Sequence, residues 1–175
     1  MFLIFILDKR KTNKYRLFMN IFILDSDPIK AAQQHNDKHC IKMILEHTQM
    51  LSTAIRVHSN DSVEGVYKQA HLNHPCSKWV RASRSNFMWL CEMTEELFQE
   101  YTRRYGKNHK SYPIFQLCRN HANFIPDGDM TVFAQAMPEE YKDQDPVKAY
   151  RTYYLKDKKE FSTWKLGNVP DWWIL

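Results

Sequence analysis

Along residues 28–56, apolar and polar positions recur with the period of a helix. Ile29, Ala32, Cys40, Met43, Ile44, Met50, Leu51, Ala54 and Ile55 form an apolar stripe suited to a core. A second stripe, His35, His39, Lys42, Glu46, Gln49 and Thr53, advances by alternating steps of four and three, which sets all six on one face. Asp25, Ser26 or Asp27 can cap this segment, and Pro28 suits a first turn, where a missing N–H costs nothing. The pattern predicts one long helix over 28–56.

Downstream, Pro75 turns His74 away from the helical region, so a helix is expected to begin there. Trp79, Val80, Ser83, Phe87, Leu90, Cys91, Thr94, Leu97, Phe98 and Tyr101 carry its period to Tyr105, with Gly106 as its stop. Residues 113–118 make a short helix at most, 120–131 a loop, and 133–137 a short apolar run broken by Pro138. Asp145 and Pro146 repeat the cap-plus-proline start, and a last helix is expected from 147 to about 164. Residues 20–24 are β-branched and aromatic and read as a short buried strand. The apolar tail, 169–175, should dock on the core. The fold class is mainly α: a single-domain helical bundle with a short N-terminal strand or small sheet.

The totals narrow this further. A chain of 175 residues, 43% hydrophobic and 26% charged, is long enough for one well-buried core and too apolar for disorder. Only 4 glycines disfavour a turn-rich all-β fold. The net charge of +5 permits a nucleic-acid partner without requiring one. Cys40, Cys76, Cys91 and Cys118 are spread out with no CxxC, which reads as reduced, buried thiols in a cytoplasmic protein. The apolar run 2–7 is too short to span a bilayer and precedes its basic residues, the wrong order for a signal peptide, so no membrane role is expected. Ile4, Phe5, Ile6, Leu7 and Asp8 recur as Ile21, Phe22, Ile23, Leu24 and Asp25, and Met19 stands just before the second copy. Residues 1–18 are therefore read as an upstream extension and 19–175 as the functional domain, the alternative being that both copies are strands of one small sheet.

Candidate chemistry centres on the polar stripe. Glu46 is the best general acid or base, with Lys42 one turn before it and His39 seven residues before it. A carboxylate so placed can stabilise a developing positive charge; the plainer alternative is an i,i+4 ion pair worth a few tenths of a kcal/mol. His71, Asn73 and His74 suit a phosphate at a helix start, and Lys78, Arg81, Arg84, Arg104 and Lys107 suit phosphate contacts, or simply a solvated basic face. Tyr150, Arg151 and Tyr154 share a helical face and could meet a base, whereas Tyr153, Trp164 and Trp172 are expected in the core. His71, His74 and Cys76 lack the second ligand pair of a zinc site, so no metal or other cofactor is expected. No Walker loop, GxGxxG or GxSxG occurs, which disfavours NTPase, dehydrogenase and serine-hydrolase readings.

Two resemblances add to this. Asp37-Lys-His39, Lys42, Glu46, Asn73-His-Pro-Cys76, Trp79, Arg81, Arg104-Tyr-Gly-Lys107, Gln135-Ala-Met-Pro138 and Tyr150-Arg151 resemble a group of small, largely uncharacterised phage proteins over residues 19–173. That resemblance implies a phage-infected cell and no firm activity. At scattered positions the chain is also similar to pyrimidine-dimer DNA glycosylases of the phage endonuclease V type. There a D-x-H is followed seven residues later by the catalytic glutamate, which here falls on Asp37, His39 and Glu46, and Tyr150-Arg-Thr-Tyr-Tyr154 loosely matches a C-terminal aromatic cluster. The family uses its N-terminal α-amine, after methionine removal, as a Schiff-base nucleophile. This chain departs from that pattern: residue 2 is Phe2, or Asn20 if Met19 starts the chain, and neither is small, so retention of the methionine is expected, and lyase activity would then need Lys42 or the Met19 amine to substitute.

The expected function is a DNA-base-acting enzyme, an N-glycosylase with or without lyase activity on damaged or modified pyrimidines, working as a monomer. Glu46 would stabilise the sugar cation, and His39 and Lys42 would orient or protonate. One alternative is an enzyme acting on a free nucleotide or phosphorylated metabolite. The other is a non-catalytic factor that binds nucleic acid or protein.

Overall fold

The computed structural model describes residues 19–173. Six α-helices occur among them: α1 (Pro28–Gln33), α2 (Asp37–Ser59), α3 (Pro75–Val80), α4 (Arg84–Tyr105), α5 (Tyr112–Asn120) and α6 (Pro146–Tyr153). The expectation of a mainly α fold holds. The extension and the first copy of the repeat lie outside the described residues.

The long helices α2 and α4 lie against each other and hold the core between them, with α1 packed along α4 and α5 against α2. Cys40, Met43, Ile44, Met50, Leu51 and Ile55 of α2 meet Phe87, Leu90, Cys91, Met93 and Leu97 of α4, all fully buried. Residues 19–24 are buried, but no strand forms among the described residues: the segment has no regular secondary structure, and Leu24 N donates back to the Phe22 carbonyl at 3.0 Å. The segment runs past α2 towards α6, where Arg151 Nε donates to the Leu24 carbonyl at 2.7 Å. All four cysteines are buried free thiols.

Three helices differ from the sequence expectation. The helix expected over 28–56 is broken at 34–36. Asp27 caps α1 through Ile29 N, at 2.8 Å, and Asn36 opens a second helix by accepting from His39 N at 2.8 Å. A buried arginine stabilises this joint: Arg104 donates to the carbonyls of His35 (2.8 Å) and Gln33 (3.3 Å), satisfying acceptors that the break leaves without helical partners. The helix expected from Pro75 to Tyr105 is likewise two, because Ser83 caps α4 by accepting from Asn86 N at 3.2 Å. Gly106 ends α4 as expected, in the left-handed conformation at φ 63°. The last helix stops at Tyr153 and continues as a π turn, Tyr154–Lys158, and a 3-10 turn, Lys159–Phe161, rather than running to 164. Trp164 and Tyr153 are buried, and Trp172 is half-buried against the core.

Candidate active site

Glu46 lies midway along α2, on the side where residues 19–24 cross it. Its side chain is buried, with 7% of the residue exposed. Oε1 accepts from the Lys42 ammonium at 3.0 Å, and Oε2 accepts from the main-chain N–H of Asn20 at 3.3 Å. Burial raises the carboxyl pKa above its ordinary value near 4.5, against the opposing pull of Lys42 and the Asn20 N–H. Lys42 itself is largely exposed, so the site has a wet side and a dry side. The helical i,i+4 step brings Lys42 and Glu46 together, as the stripe predicted.

The rest of the stripe behaves differently. His35 sits in the α1–α2 joint rather than on the helix face, with Nδ1 at 2.7 Å from the Ala31 carbonyl. Since a carbonyl only accepts, the proton is on Nδ1. Burial lowers its pKa to about 4. His39 is buried, stacked on Phe22 with centroids 4.3 Å apart, and its Nδ1 is 2.5 Å from the Tyr154 hydroxyl. Its pKa is held well below 6.5, chiefly by burial and then by His35 and the lysines 158, 42 and 38. His39 is thus a neutral imidazole at pH 7, and two turns of helix, about 10 Å, separate its backbone from that of Glu46. It is held by Phe22 and Tyr154 rather than set beside Glu46. Thr53 serves the fold: its hydroxyl donates to the Ala70 carbonyl at 3.2 Å and accepts from Ala70 N at 3.0 Å.

A buried histidine that the stripe did not include lies next to Glu46. His47 is fully buried, with Nδ1 3.2 Å from the Thr94 hydroxyl. Burial holds its pKa well below 6.5.

The expected phosphate-binding set disperses. Arg104 is buried and fully engaged, paired with Glu100 at 2.7 Å and Asp37 at 3.2 Å in addition to the two joint carbonyls, so no phosphate reaches it. Arg84 pairs with Asp127 at 2.5 Å, and Arg81 donates to the Leu72 carbonyl at 2.6 Å, so both brace loops. His74 caps α3 by accepting from Cys76 N at 3.2 Å, and His71 is an exposed residue at φ 48°. Asn73, Lys78 and Lys107 are exposed. Tyr150 and Tyr154 are completely buried, so neither can stack on a base; Tyr150 OH instead donates to Asn20 Oδ1 at 2.9 Å. Arg151 is half-buried, against Leu24 and Asp25. Lys42 is the cation beside Glu46. Lys38 and Lys158 lie closer to His39, with Lys38 over the Phe161 ring and Lys158 on Tyr153. Ile41 and Leu45 are exposed apolar residues on α2 that the polar stripe did not include.

A groove of about 810 Å³ lies elsewhere, between α4 and the start of α5, lined by Phe98, Thr102, Arg103, His109 and Tyr112. Among the described residues no three His, Cys, Asp or Glu side chains cluster as metal ligands, and no helix is long and apolar enough to cross a membrane.

A buried carboxylate facing a lysine on one side and a main-chain nitrogen on the other has the charge to stabilise a cation or position a nucleophile. A family model described as pyrimidine dimer DNA glycosylase matches residues 19–113, and the chain belongs to that family. The matched region holds Asn20, Lys42 and Glu46. No match is found among curated proteins or solved structures.

Proposed function

We propose that the protein is a DNA N-glycosylase acting on damaged pyrimidines in a duplex, with Glu46 as its catalytic carboxylate. One observation carries this reading: Glu46 is buried, raised in pKa by that burial, and held between Lys42 and the Asn20 nitrogen. As the C1′–N bond breaks, its electron pair leaves with the base and positive charge develops on the sugar. The Glu46 carboxylate faces that charge in a partly water-free site, where a fixed negative group is most effective. In hydrolysis, water supplies hydroxide to C1′ and a proton to the departing base, and Glu46 orients the water. The duplex would lie across the outer face of α2, with the exposed Lys42 near its phosphates and the reacting nucleotide turned out of the stack.

The nucleophile depends on the state of Asn20. Within a continuous chain its nitrogen is an amide and can only position Glu46. In a polypeptide that begins at Asn20 it becomes an amine 3.3 Å from the carboxylate. Such an amine would displace the base at C1′, giving one of its two protons to the departing base, and the other would pass to the ring oxygen as the sugar opens to the imine. The resemblance to the phage endonuclease V type supports this lyase branch, and the start of the family match at residue 19 supports a domain that begins there. The phage resemblance supports a setting in the cytoplasm of an infected cell.

Glu46→Gln tests the proposal. With a duplex carrying one cyclobutane thymine dimer, we expect turnover to fall by about 10³-fold or more, while the affinity for that duplex changes less than about threefold. Unchanged turnover in the variant would end the reading. Borohydride trapping on the same duplex separates the branches: a covalent adduct is expected from a chain beginning at Asn20 and none from the continuous chain.

A further inference from the structure

We propose that Tyr150 is a positioning residue for this reaction and acts through the side chain of Asn20; the inference rests on the reading of Glu46 given above. Three hydrogen bonds close a ring around Asn20. Its Nδ2 donates to the Ala136 carbonyl at 2.8 Å, Ala136 N donates to the Tyr150 hydroxyl at 3.1 Å, and that hydroxyl donates to Asn20 Oδ1 at 2.9 Å. The same Oδ1 accepts from Ile21 N at 2.8 Å and lies 3.9 Å from Cys76 Sγ. Every polar atom of the carboxamide is satisfied inside the protein, which is what allows an asparagine to be buried there.

The ring fixes more than a side chain. The main-chain nitrogen and the β-carbon of Asn20 are attached to the same α-carbon. Anchoring the carboxamide at one end and Ile21 N at the other leaves the nitrogen one direction, towards Glu46 Oε2. Tyr150 has one hydroxyl proton and two acceptors within reach, Asn20 Oδ1 at 2.9 Å and the Ala134 carbonyl at 2.8 Å, so it ties Asn20 to segment 134–136 as well. Burial raises the phenol pKa well above 10, which keeps it a donor at any working pH. Tyr150 is fully buried and touches no substrate, so its contribution is geometric. Alignment within the site is worth a great deal, since a displacement of about 1 Å can cost 10²-fold in rate.

A double-mutant cycle on turnover of the dimer-bearing duplex tests the proposal. Tyr150→Phe and Asn20→Ala are each expected to lower kcat about 10- to 100-fold with duplex affinity held within about threefold. The double variant is expected to be no slower than the slower single one, because both changes release the same nitrogen. A structural role for Tyr150 through segment 134–136 alone would make the two effects multiply, and that result overturns the inference, as does wild-type kcat in either single variant. Circular dichroism checks folding; should Tyr150→Phe not fold, Asn20→Ala read against Asn20→Asp, which keeps the Tyr150 acceptor, takes its place. Recovery of kcat in the aspartate variant to within about fivefold of wild type supports the inference, and equal loss in both overturns it. Glu46→Gln run alongside separates the two readings: an inactive Glu46→Gln beside a fully active Tyr150→Phe removes only the positioning role, whereas an active Glu46→Gln removes the glycosylase assignment itself.

Discussion

Glu46 on α2 and Glu100 on α4 are both buried glutamates on the two helices that hold the core, yet their surroundings are opposite. Both oxygens of Glu100 meet guanidinium groups. Arg104 Nε and a terminal nitrogen approach Oε2 at 2.8 and 2.7 Å, and Arg103 reaches Oε1 through two nitrogens. Glu46 has one flexible ammonium, more than half exposed, and one peptide N–H. A carboxylate saturated by planar guanidiniums is fixed in place and has little left to offer a substrate. One that is desolvated and incompletely neutralised keeps a strong field for whatever cation forms beside it. The contrast separates a carboxylate that holds the fold from one left incompletely neutralised, which is what the proposed role of Glu46 requires.

Three measurements break or sharpen this contrast, from the largest effect to the smallest. Arg104→Met should be severe: it strands Glu100 and Asp37 and frees the carbonyls of the α1–α2 joint, for a loss of about 3–5 kcal/mol in denaturant unfolding. Glu100→Gln keeps an acceptor but removes one charge from the Arg104 network, for a loss of about 2–3 kcal/mol, and its kcat on the dimer-bearing duplex should stay within about twofold of wild type. A large kcat loss at unchanged folding would mean that Glu100 belongs to the site after all.

Glu46→Gln should run the other way, with a gain of up to about 1 kcal/mol at pH 8, the usual direction when a functional charge is neutralised. The sign follows from linkage. The folded protein holds the Glu46 proton more tightly than the unfolded chain does, so wild type carries a penalty at neutral pH that fades as pH falls through the raised pKa. The gap between variant and wild type should therefore be full above that pKa and close once pH drops below about 4.5. A variant less stable than wild type at pH 8 would place Glu46 with Glu100 as a structural residue.

Much of the fold was legible because its signals are local. The core stripe of α2, the glycine stop of α4 and the Asp145–Pro146 start of α6 are short-range patterns with a fixed physical cause. The breaks at 34–36 and 81–83 also left a local trace, in Asn36 and Ser83. A polar residue in a periodic run looks the same, however, whether it caps a new helix or faces water. The i,i+4 spacing of Arg104 to Glu100 suggests only a helix-surface ion pair; the burial of Arg104 comes from Gln33, His35 and Asp37, about 70 residues earlier. The Lys42–Glu46 pair was readable from spacing. The Asn20 nitrogen beside it was not, since a main-chain atom has no residue signature and the contact spans 26 positions. Tyr150 and Tyr154 kept the right neighbourhood and the wrong role: their spacing put them near the site, but their hydroxyls face Asn20 and His39 from inside the core.

The four thiols give the molecule internal clocks. Cys40 sits at the start of α2 against the Leu97 carbonyl, Cys76 beside Asn20, Cys91 within α4, and Cys118 on α5 against Ser52. Burial pushes Cys40 and Cys76 up to about 12 and Cys118 to about 11, so none reacts with an alkylating reagent while its surroundings stay closed. Each sulfur becomes reactive only when its own neighbourhood opens, and alkylation at Cys76 times the rare moments when the packing around Asn20 comes apart while the rest of the helices stand.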